Sequence, residues 1–204
     1  MADTAVTEQT EEHGHPPTAT GLDNRKLAMW AFLGSECLLF GALISAYLLY
    51  RGRGIGTKPH DVYDIPYTSV SSFVLLMSSL TMVLALSAMQ RGEERKSRVW
   101  LTATAMLGVT FISGQVYEFT TFVHKGLSLT VNPASSAFFT LTGFHGTHVT
   151  LGIIMLLSLV GLSLAGKIGP KNSLIVELVG LYWHFVDIVW IVIFTVVYLM
   201  PSGK

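Results

Sequence analysis

A histidine and an aspartate interrupt an otherwise apolar stretch near the carboxyl end of the chain, YWHFVDIVW, residues 182–190. His184 and Asp187 are three residues apart, so a helix would place both side chains on one face. An imidazole and a carboxylate placed together can bind a metal ion, exchange a proton, or join two helices by hydrogen bonds. The surroundings of the two side chains must decide between these roles.

Five further polar side chains lie inside apolar stretches: Glu36, Gln115, Glu118, His145 and His148. A carboxylate in hydrocarbon is costly unless it is protonated, paired or hydrated, so such residues normally face the interior of a helix bundle. Glu177 lies close enough to the end of its stretch to reach the membrane surface, and we set it aside.

Spacing alone leaves three interpretations of these seven residues open. The first is a bis-histidine haem or metal site, although His145 and His148 are too near each other on one helix to bind opposite faces of a haem. The second is a proton path, for which carboxylates and histidines in series are the usual material. The third is a structural clamp, in which an imidazole bonds an acid of another helix and Asp187 bonds an indole or hydroxyl.

The elements that carry these residues are predicted to be transmembrane helices. Half of the 204 residues are apolar and only 13% are charged, against roughly a quarter in an ordinary soluble domain. Basic and acidic side chains balance at 13 each, so no overall charge indicates a nucleic-acid partner. Five apolar segments reach the roughly 20 residues that a membrane-spanning helix needs: 27–50, 70–90, 99–122, 136–165 and 174–200. We therefore predict an all-α, five-helix membrane domain over residues 27–204, preceded by a polar flexible tail, residues 1–26.

Small residues accompany the polar side chains in the first and fourth predicted helices. At a rise of about 1.5 Å per residue, Glu36, His145 and His184 lie at similar depths in their helices. Glycines occur nearby at four positions: Gly34, Gly41, Gly143 and Gly146. We expect these glycines to let helix backbones approach closely enough for the polar groups to meet.

The distribution of Lys and Arg predicts the orientation in the membrane. The amino-terminal side carries eight basic residues: Arg25, Lys26, Arg91, Arg95, Lys96, Arg98, Lys167 and Lys171. The opposite side carries five: Arg51, Arg53, Lys58, Lys125 and Lys204. Because cytoplasmic segments carry the excess of basic residues, we predict a cytoplasmic amino terminus and, after five spans, a carboxyl terminus outside.

Four strings in four of the predicted helices carry a resemblance to a known family. They are GSECLLFGALISAY, GQVYEF, TGFHGTHVTLG and YWHFVDIVW. In this order they closely resemble subunit III of the haem-copper terminal oxidases, the cytochrome c and quinol oxidases, from Leu27 to the end of the chain. The chain begins where the third helix of the larger seven-helix members begins, so it resembles the short, five-helix bacterial form. It has LLF where many members have two phenylalanines after the SE pair.

The resemblance implies a non-redox subunit of a proton-pumping oxidase that reduces oxygen to water in aerobic respiration. In this family subunit III holds no haem and no copper, packs against catalytic subunit I, and supports its stability and proton uptake. The chain would thus belong to an enzyme complex of the bacterial plasma membrane without carrying a catalytic centre. Subunit II and a small subunit IV are the further partners expected, and phospholipid is the expected ligand.

The same resemblance assigns motif positions to the intramembrane residues. The matches are Glu36 in the SE motif, Glu118 in the motif of the third helix, His145 and His148 in GFHGxHV, and His184 and Asp187 in WHFVD. None is implied to be a redox ligand, which favours a polar clamp with some access to protons. Two alternatives are a subunit that accompanies nitric oxide reductase and a self-contained proton-coupled or haem-binding membrane protein.

Overall fold

The computed structural model describes residues 23–51, 65–130 and 132–200. Within these ranges the chain forms no strand and five long helices: α1 Asn24–Tyr50, α2 Ile65–Gln90, α3 Glu94–His124, α4 Pro133–Leu164 and α5 Ser173–Phe194. A short 3-10 helix, Pro170–Asn172, precedes α5, and a π-helical turn, Thr195–Leu199, extends it. All five helices are long and apolar enough to cross a membrane, which confirms the predicted all-α architecture. Most of the predicted tail lies outside the described residues.

The helices extend beyond the predicted apolar segments, mainly at their amino-terminal ends. Helix α1 begins at Asn24 and includes Arg25 and Lys26, and α3 begins at Glu94, five residues before the predicted start. These first turns are charged, so an apolar count leaves them out. Long basic side chains can extend from such turns to the polar membrane surface. Hydropathy therefore located each helix better than it located the helix ends.

Helices α2, α3 and α4 end in the same way, with a glycine in the left-handed region. The φ angles of Gly92, Gly126 and Gly166 are 78°, 84° and 69°. After Gly92, the amide of Glu93 donates to the carbonyl of Ala88 at 2.9 Å, and equivalent bonds follow the other two glycines. This arrangement satisfies carbonyls that the helix end leaves without a partner. Each glycine thus ends its helix at the start of a short connection.

Helix α5 is the central element and α1 lies at the edge. Helix α5 packs against α1, α2 and α4, whereas α1 packs only against α4 and α5 among the closely packed helices. In the most apolar 18-residue segment of α5, 50% of the residues are buried in the protein, whereas in that of α1 only 11% are buried. The face of α1 that does not contact the bundle carries exposed apolar side chains such as Trp30 and Leu38. The polar residues of α5 are therefore held by several neighbours, and those of α1 by few.

Two glycines make room for a side chain of α5 against α3 and α4. A Cβ atom added at Gly108 or at Gly152 would lie 2.7 Å from the indole ring of Trp183, so the ring occupies a slot that only glycine leaves open. The expectation for Gly34, Gly41 and Gly143 is wrong, because nothing lies within 4 Å of a Cβ added there. The shortest of these distances lie around the ring of Trp183, and not at the three predicted positions.

Contacts at the helix ends show which connections share one side of the bundle. Lys26 at the start of α1 pairs with Glu177 at the start of α5, with Nζ and Oε1 2.7 Å apart. A Cβ added at Gly169, between α4 and α5, would lie 3.1 Å from Glu94 at the start of α3. The starts of α1, α3 and α5 therefore lie at the same end. This grouping matches the one used for the count of basic residues.

Candidate functional site

The YWHFVDIVW stretch lies in the middle of α5 and directs two indoles toward α2. Trp183 Nε1 donates to Ser78 Oγ at 2.9 Å, and Trp190 Nε1 donates to Ser72 Oγ at 2.8 Å. Each serine donates its own hydroxyl hydrogen to a carbonyl of α2, so its oxygen is available as an acceptor. The two indoles are thereby satisfied inside the bundle, as buried indoles normally are.

His184 and Asp187 share a single serine of α2. Ser79 Oγ lies 3.0 Å from His184 Nδ1 and also contacts Asp187 Oδ2. Asp187 is only 4% exposed, and its second carboxylate oxygen, Oδ1, is buried without a hydrogen-bond partner. The predicted shared face and the predicted hydroxyl partner of Asp187 are both found, and the hydroxyl comes from a helix for which no polar role was predicted.

The opposite face of the same stretch contacts α4. Tyr182 donates its hydroxyl to the backbone carbonyl of His148 at 3.0 Å. His145 Nε2 lies 3.2 Å from the carbonyl oxygen of Val186 and therefore carries the hydrogen. The ring of His145 is buried beside Trp190, with centroids 4.9 Å apart. His145 is thus a buried donor to the backbone of α5, and its ring makes no hydrogen bond to a carboxylate among the described residues.

Glu36 of α1 and His148 of α4 form the contact between an acid and an imidazole of different helices. Their Oε2 and Nε2 atoms are 3.1 Å apart, and both side chains are mostly buried, at 15% and 12% exposure. His148 Nδ1 lies 2.8 Å from the carbonyl of Phe144, so Nδ1 carries a hydrogen. The bond at Nε2 then needs one further proton, which either Glu36 or His148 can carry. In both forms the pair as a whole is neutral, which removes the cost of a net charge in the membrane.

Glu118 and Gln115 of α3 lie in a separate group toward the other end of the bundle. Thr68 of α2 donates to Glu118 Oε1 at 2.7 Å, and Gln115 Nε2 donates to Oε2 at 3.3 Å. The hydroxyl of Tyr198, on the π-helical turn, lies close to the same carboxylate. Glu118 is 3% exposed. Its partners connect three helices, α2, α3 and the end of α5.

The seven predicted residues are therefore distributed over four places in the bundle. Glu36 meets His148, His184 meets Asp187 through Ser79, Gln115 meets Glu118, and His145 bonds only to a backbone carbonyl. Sequence reasoning missed the hydroxyl groups of α2 that accept or donate these bonds: Thr68, Ser72, Ser78 and Ser79. Hydroxyls repeated at helical spacing over residues 68–79 were the signal that could have identified this face of α2.

The arrangement leaves few ring nitrogens available as metal ligands. Both nitrogens of His148 are engaged, and His145 uses Nε2 to donate to Val186. Within residues 23–51, 65–130 and 132–200, no group of three or more His, Cys, Asp or Glu side chains is arranged to hold a metal ion. The chemistry that this geometry supports is hydrogen bonding between helices and the holding of protons.

Comparison with known proteins identifies the family. The family described as cytochrome c oxidase subunit III matches residues 4–202. Cytochrome c oxidase subunit 3 of Bacillus sp. strain PS3 is 37% identical over 87% of this chain and 86% of its own length. Quinol oxidase subunit 3 of Bacillus subtilis strain 168 is 38% identical over 87% of both chains. Cytochrome bo(3) ubiquinol oxidase subunit 3 of Pseudomonas aeruginosa is 34% identical over 94% of this chain and 91% of its own. The described residues contain five helices that are long and apolar enough to span a membrane, and the chain belongs to the cytochrome c oxidase subunit III family, which confirms the resemblance carried by the four strings.

Proposed function

We propose that this chain is the non-redox subunit III of a proton-pumping haem-copper oxidase in a bacterial plasma membrane. It packs directly against catalytic subunit I, with subunit II and a small subunit IV as further partners. It stabilises subunit I and supports its proton uptake, while haem and copper stay in the partner subunits. The relatives named as subunit 3 of cytochrome c and quinol oxidases support this assignment, because they match the chain over most of its length.

The observation that carries the structural part of the proposal is the pairing of the intramembrane acids. Glu36, Glu118 and Asp187 each share a hydrogen bond with a side chain of another helix. Such bonds hold helices in a fixed arrangement in a membrane, where apolar contact alone discriminates poorly between packings. A subunit of this kind presents a defined surface to its neighbour. Its own polar groups are mostly used internally, as expected for a supporting subunit.

The proposed orientation places the starts of α1, α3 and α5 at the cytoplasmic side. Most of the described basic residues lie at this end, including Arg91, Lys96 and Lys167. The positive-inside rule supports the cytoplasmic placement. This is also the side on which subunit I would take up protons, so a supporting role in proton uptake requires this orientation.

Purification from the native membrane tests the assembly. A tag on this chain, extraction in mild detergent and identification of the co-purified subunits should give a haem-bearing subunit I and a copper-bearing subunit II. An oxidase prepared without the chain should begin at a near-normal rate of oxygen consumption and lose activity faster over repeated turnovers. Recovery of the chain without a haem protein would contradict the proposal, and co-purification with a nitric oxide reductase would assign it to that enzyme instead.

A further inference from the structure

A cavity between α2 and α5 reaches His184, which shares Ser79 with Asp187. It has a volume of about 210 Å³ and extends along α5 past Glu177, Gly180 and Leu181 to His184. Because a water molecule occupies roughly 30 Å³ in the liquid, the cavity has room for several. Its two polar lining side chains, Glu177 and His184, stand two helical turns apart, about 10 Å along the axis. Glu177 lies near the start of α5 and is about one-third exposed.

The hydroxyl of Ser79 lies between two groups that can each accept its hydrogen, His184 Nδ1 and Asp187 Oδ2. If Ser79 donates to Asp187 Oδ2, then His184 Nδ1 must carry a hydrogen and donate to Ser79 Oγ. If Ser79 donates to His184 Nδ1 instead, then Asp187 must be a protonated acid that donates to Ser79. The same three atoms thus accommodate two states that differ by one proton, without movement of a helix.

We propose that Asp187 is a buried proton-binding site that is loaded from the α2–α5 cavity through His184 and Ser79. A proton from water in the cavity binds His184 Nε2, and the hydrogen on Nδ1 passes to Ser79 Oγ. The original hydroxyl hydrogen of Ser79 passes to Asp187 Oδ2. The products are a neutral Asp187 and a neutral His184 with its hydrogen on Nε2. Release follows the same steps in reverse, so charge and hydrogens balance in both directions.

Two observations support this direction of loading. The hydrogen bond at Nδ1 is the one that the His184 ring makes within the described residues, which leaves Nε2 for water in the cavity. At the other end, Oδ1 of Asp187 is buried without a donor. An unpaired carboxylate oxygen in this position is costly as long as the group is charged. A proton that reaches Asp187 through the relay removes this cost.

The other titratable groups around Asp187 are accounted for. Among the described residues, α2 places the hydroxyl of Ser79 against Asp187, and on α4 the imidazole of His145 donates to the carbonyl of Val186. The Glu36 and His148 pair joins α1 to α4 and shares its own proton. On α5 itself the acid and base are Glu177, paired with Lys26, and His184. Asp187 therefore exchanges protons by the route through Ser79.

Infrared difference spectra between low and high pH test the site in the membrane-assembled chain, together with whatever partners co-purify. We expect a carboxylic-acid carbonyl band that titrates with pH and is lost in Asp187→Asn. The band should shift in D₂O in the wild type and in Ser79→Thr, which keeps the hydroxyl. The shift should be lost or greatly slowed in Ser79→Ala. Ser72→Ala is the matched control, since it removes a hydroxyl of α2 outside the relay.

Filling the cavity tests the entry route. A Cβ at Gly180 would lie 3.0 Å from the end of the Met82 side chain, so Gly180→Leu should occupy the cavity and slow the exchange without removing the band. Gly161→Leu is the control, because nothing lies within 4 Å of its Cβ position. Identical titrating bands in the wild type and Asp187→Asn, or equal exchange in Ser79→Ala and Ser72→Ala, would overturn the proposal. The inference rests on proton access within the proposed function, but its spectra do not require that an oxidase co-purifies.

Discussion

At the residue scale, the pair of Glu36 and His148 shows how a membrane protein can keep an acid in hydrocarbon. The carbonyl of Phe144 fixes a hydrogen on Nδ1 of His148, and the remaining proton is shared across the 3.1 Å contact. Either position of that proton leaves the pair neutral. The energetic contribution of the contact is therefore that of a hydrogen bond between two helices, on the order of 1 kcal/mol in a membrane.

A hydrogen bond that joins the two helices predicts different results for two substitutions of Glu36. Glu36→Gln keeps a donor for His148 Nε2 and the shape of the side chain, so subunit retention and initial oxygen turnover should be nearly unchanged. Glu36→Ala leaves the imidazole unsatisfied at a cost of about 1 to 3 kcal/mol, and the lower end applies in membranes. The subunit should then be lost more readily from the complex in detergent, as measured by the ratio of subunit III to subunit I on gels.

Glu177→Gln is the matched control for these variants. It removes a glutamate from a pair that is about one-third exposed, and such pairs contribute little, so retention should not change. A Glu36→Gln variant that is fully retained but turns over slowly from the first cycle would show that Glu36 conducts protons. The clamp interpretation of that residue would then fail.

At the element scale, α5 organises the bundle through its two faces. One face presents Trp183, Asp187 and Trp190 to the hydroxyls of α2, and the other bonds to α4. Helix α1 contacts α5 through Lys26 at its start and α4 through Glu36 near its middle, and its buried side chains Leu33, Phe40 and Tyr47 pack into the core. The bundle therefore has a central helix that is held on two faces and a peripheral helix with fewer neighbours.

The glycine slot around Trp183 gives a prediction for α4. Gly152→Ala would bring a methyl group to 2.7 Å from the indole ring, and because the ring is buried it cannot move away. We expect a destabilisation of about 1 to 3 kcal/mol, the usual cost of overpacking. Thermal unfolding of the purified complex in detergent, followed as loss of subunit III, measures it. Gly161→Ala on the same helix has open space around its Cβ and should behave as the wild type.

The sequence predicted the five spans and the type of partner that each acid needs, but not which residues would meet. Depth along a helix follows from counting residues, which is why Glu36, His145 and His184 were expected at similar depths. The choice of His148 rather than His145 by Glu36 depends on helix rotation, and rotation depends on which helices are neighbours. Ser79 was missed for the same reason, since a serine in an apolar helix gains a role only when an acid packs against it.

At the scale of the whole molecule, the alternation of the helices sorts the connections into two sets. The starts of α1, α3 and α5 share one end through the contacts of Lys26 with Glu177 and of Gly169 with Glu94. The set on the side of the amino terminus contains more Lys and Arg residues than the other set. The excess of basic residues acts during insertion, when cytoplasmic segments retain positive charge.

The orientation is tested by reporters fused to the two ends of the chain. We expect a reporter that is active only outside the cytoplasm to work after Lys204, and a reporter that is active only in the cytoplasm to work at Met1. The reverse pattern would invert the proposed topology. Moving basic residues from the α2–α3 connection to the α3–α4 connection should weaken the preference, which checks that charge is the cause.

The metal content of the separated subunit is a further expected outcome. Because His148 uses both ring nitrogens and His145 donates through Nε2, purified subunit III should contain no stoichiometric iron or copper by elemental analysis. Trace metal held by His13 and His15 in the amino-terminal segment would disappear when residues 1–22 are removed. One iron or copper per chain after that truncation would refute the assignment of the redox centres to other subunits.

The position of Trp183 also has a consequence for biosynthesis. The side chain that fills the slot belongs to α5, whereas Ser78, Gly108 and Gly152, which form the slot, lie on earlier helices and are made before it. Chains fold from the amino terminus during synthesis, so α1 to α4 are made before α5, their central packing partner. Final closure of the bundle is therefore a late event that requires α5, and a product truncated before α5 would lack both the indole and its bond to α2.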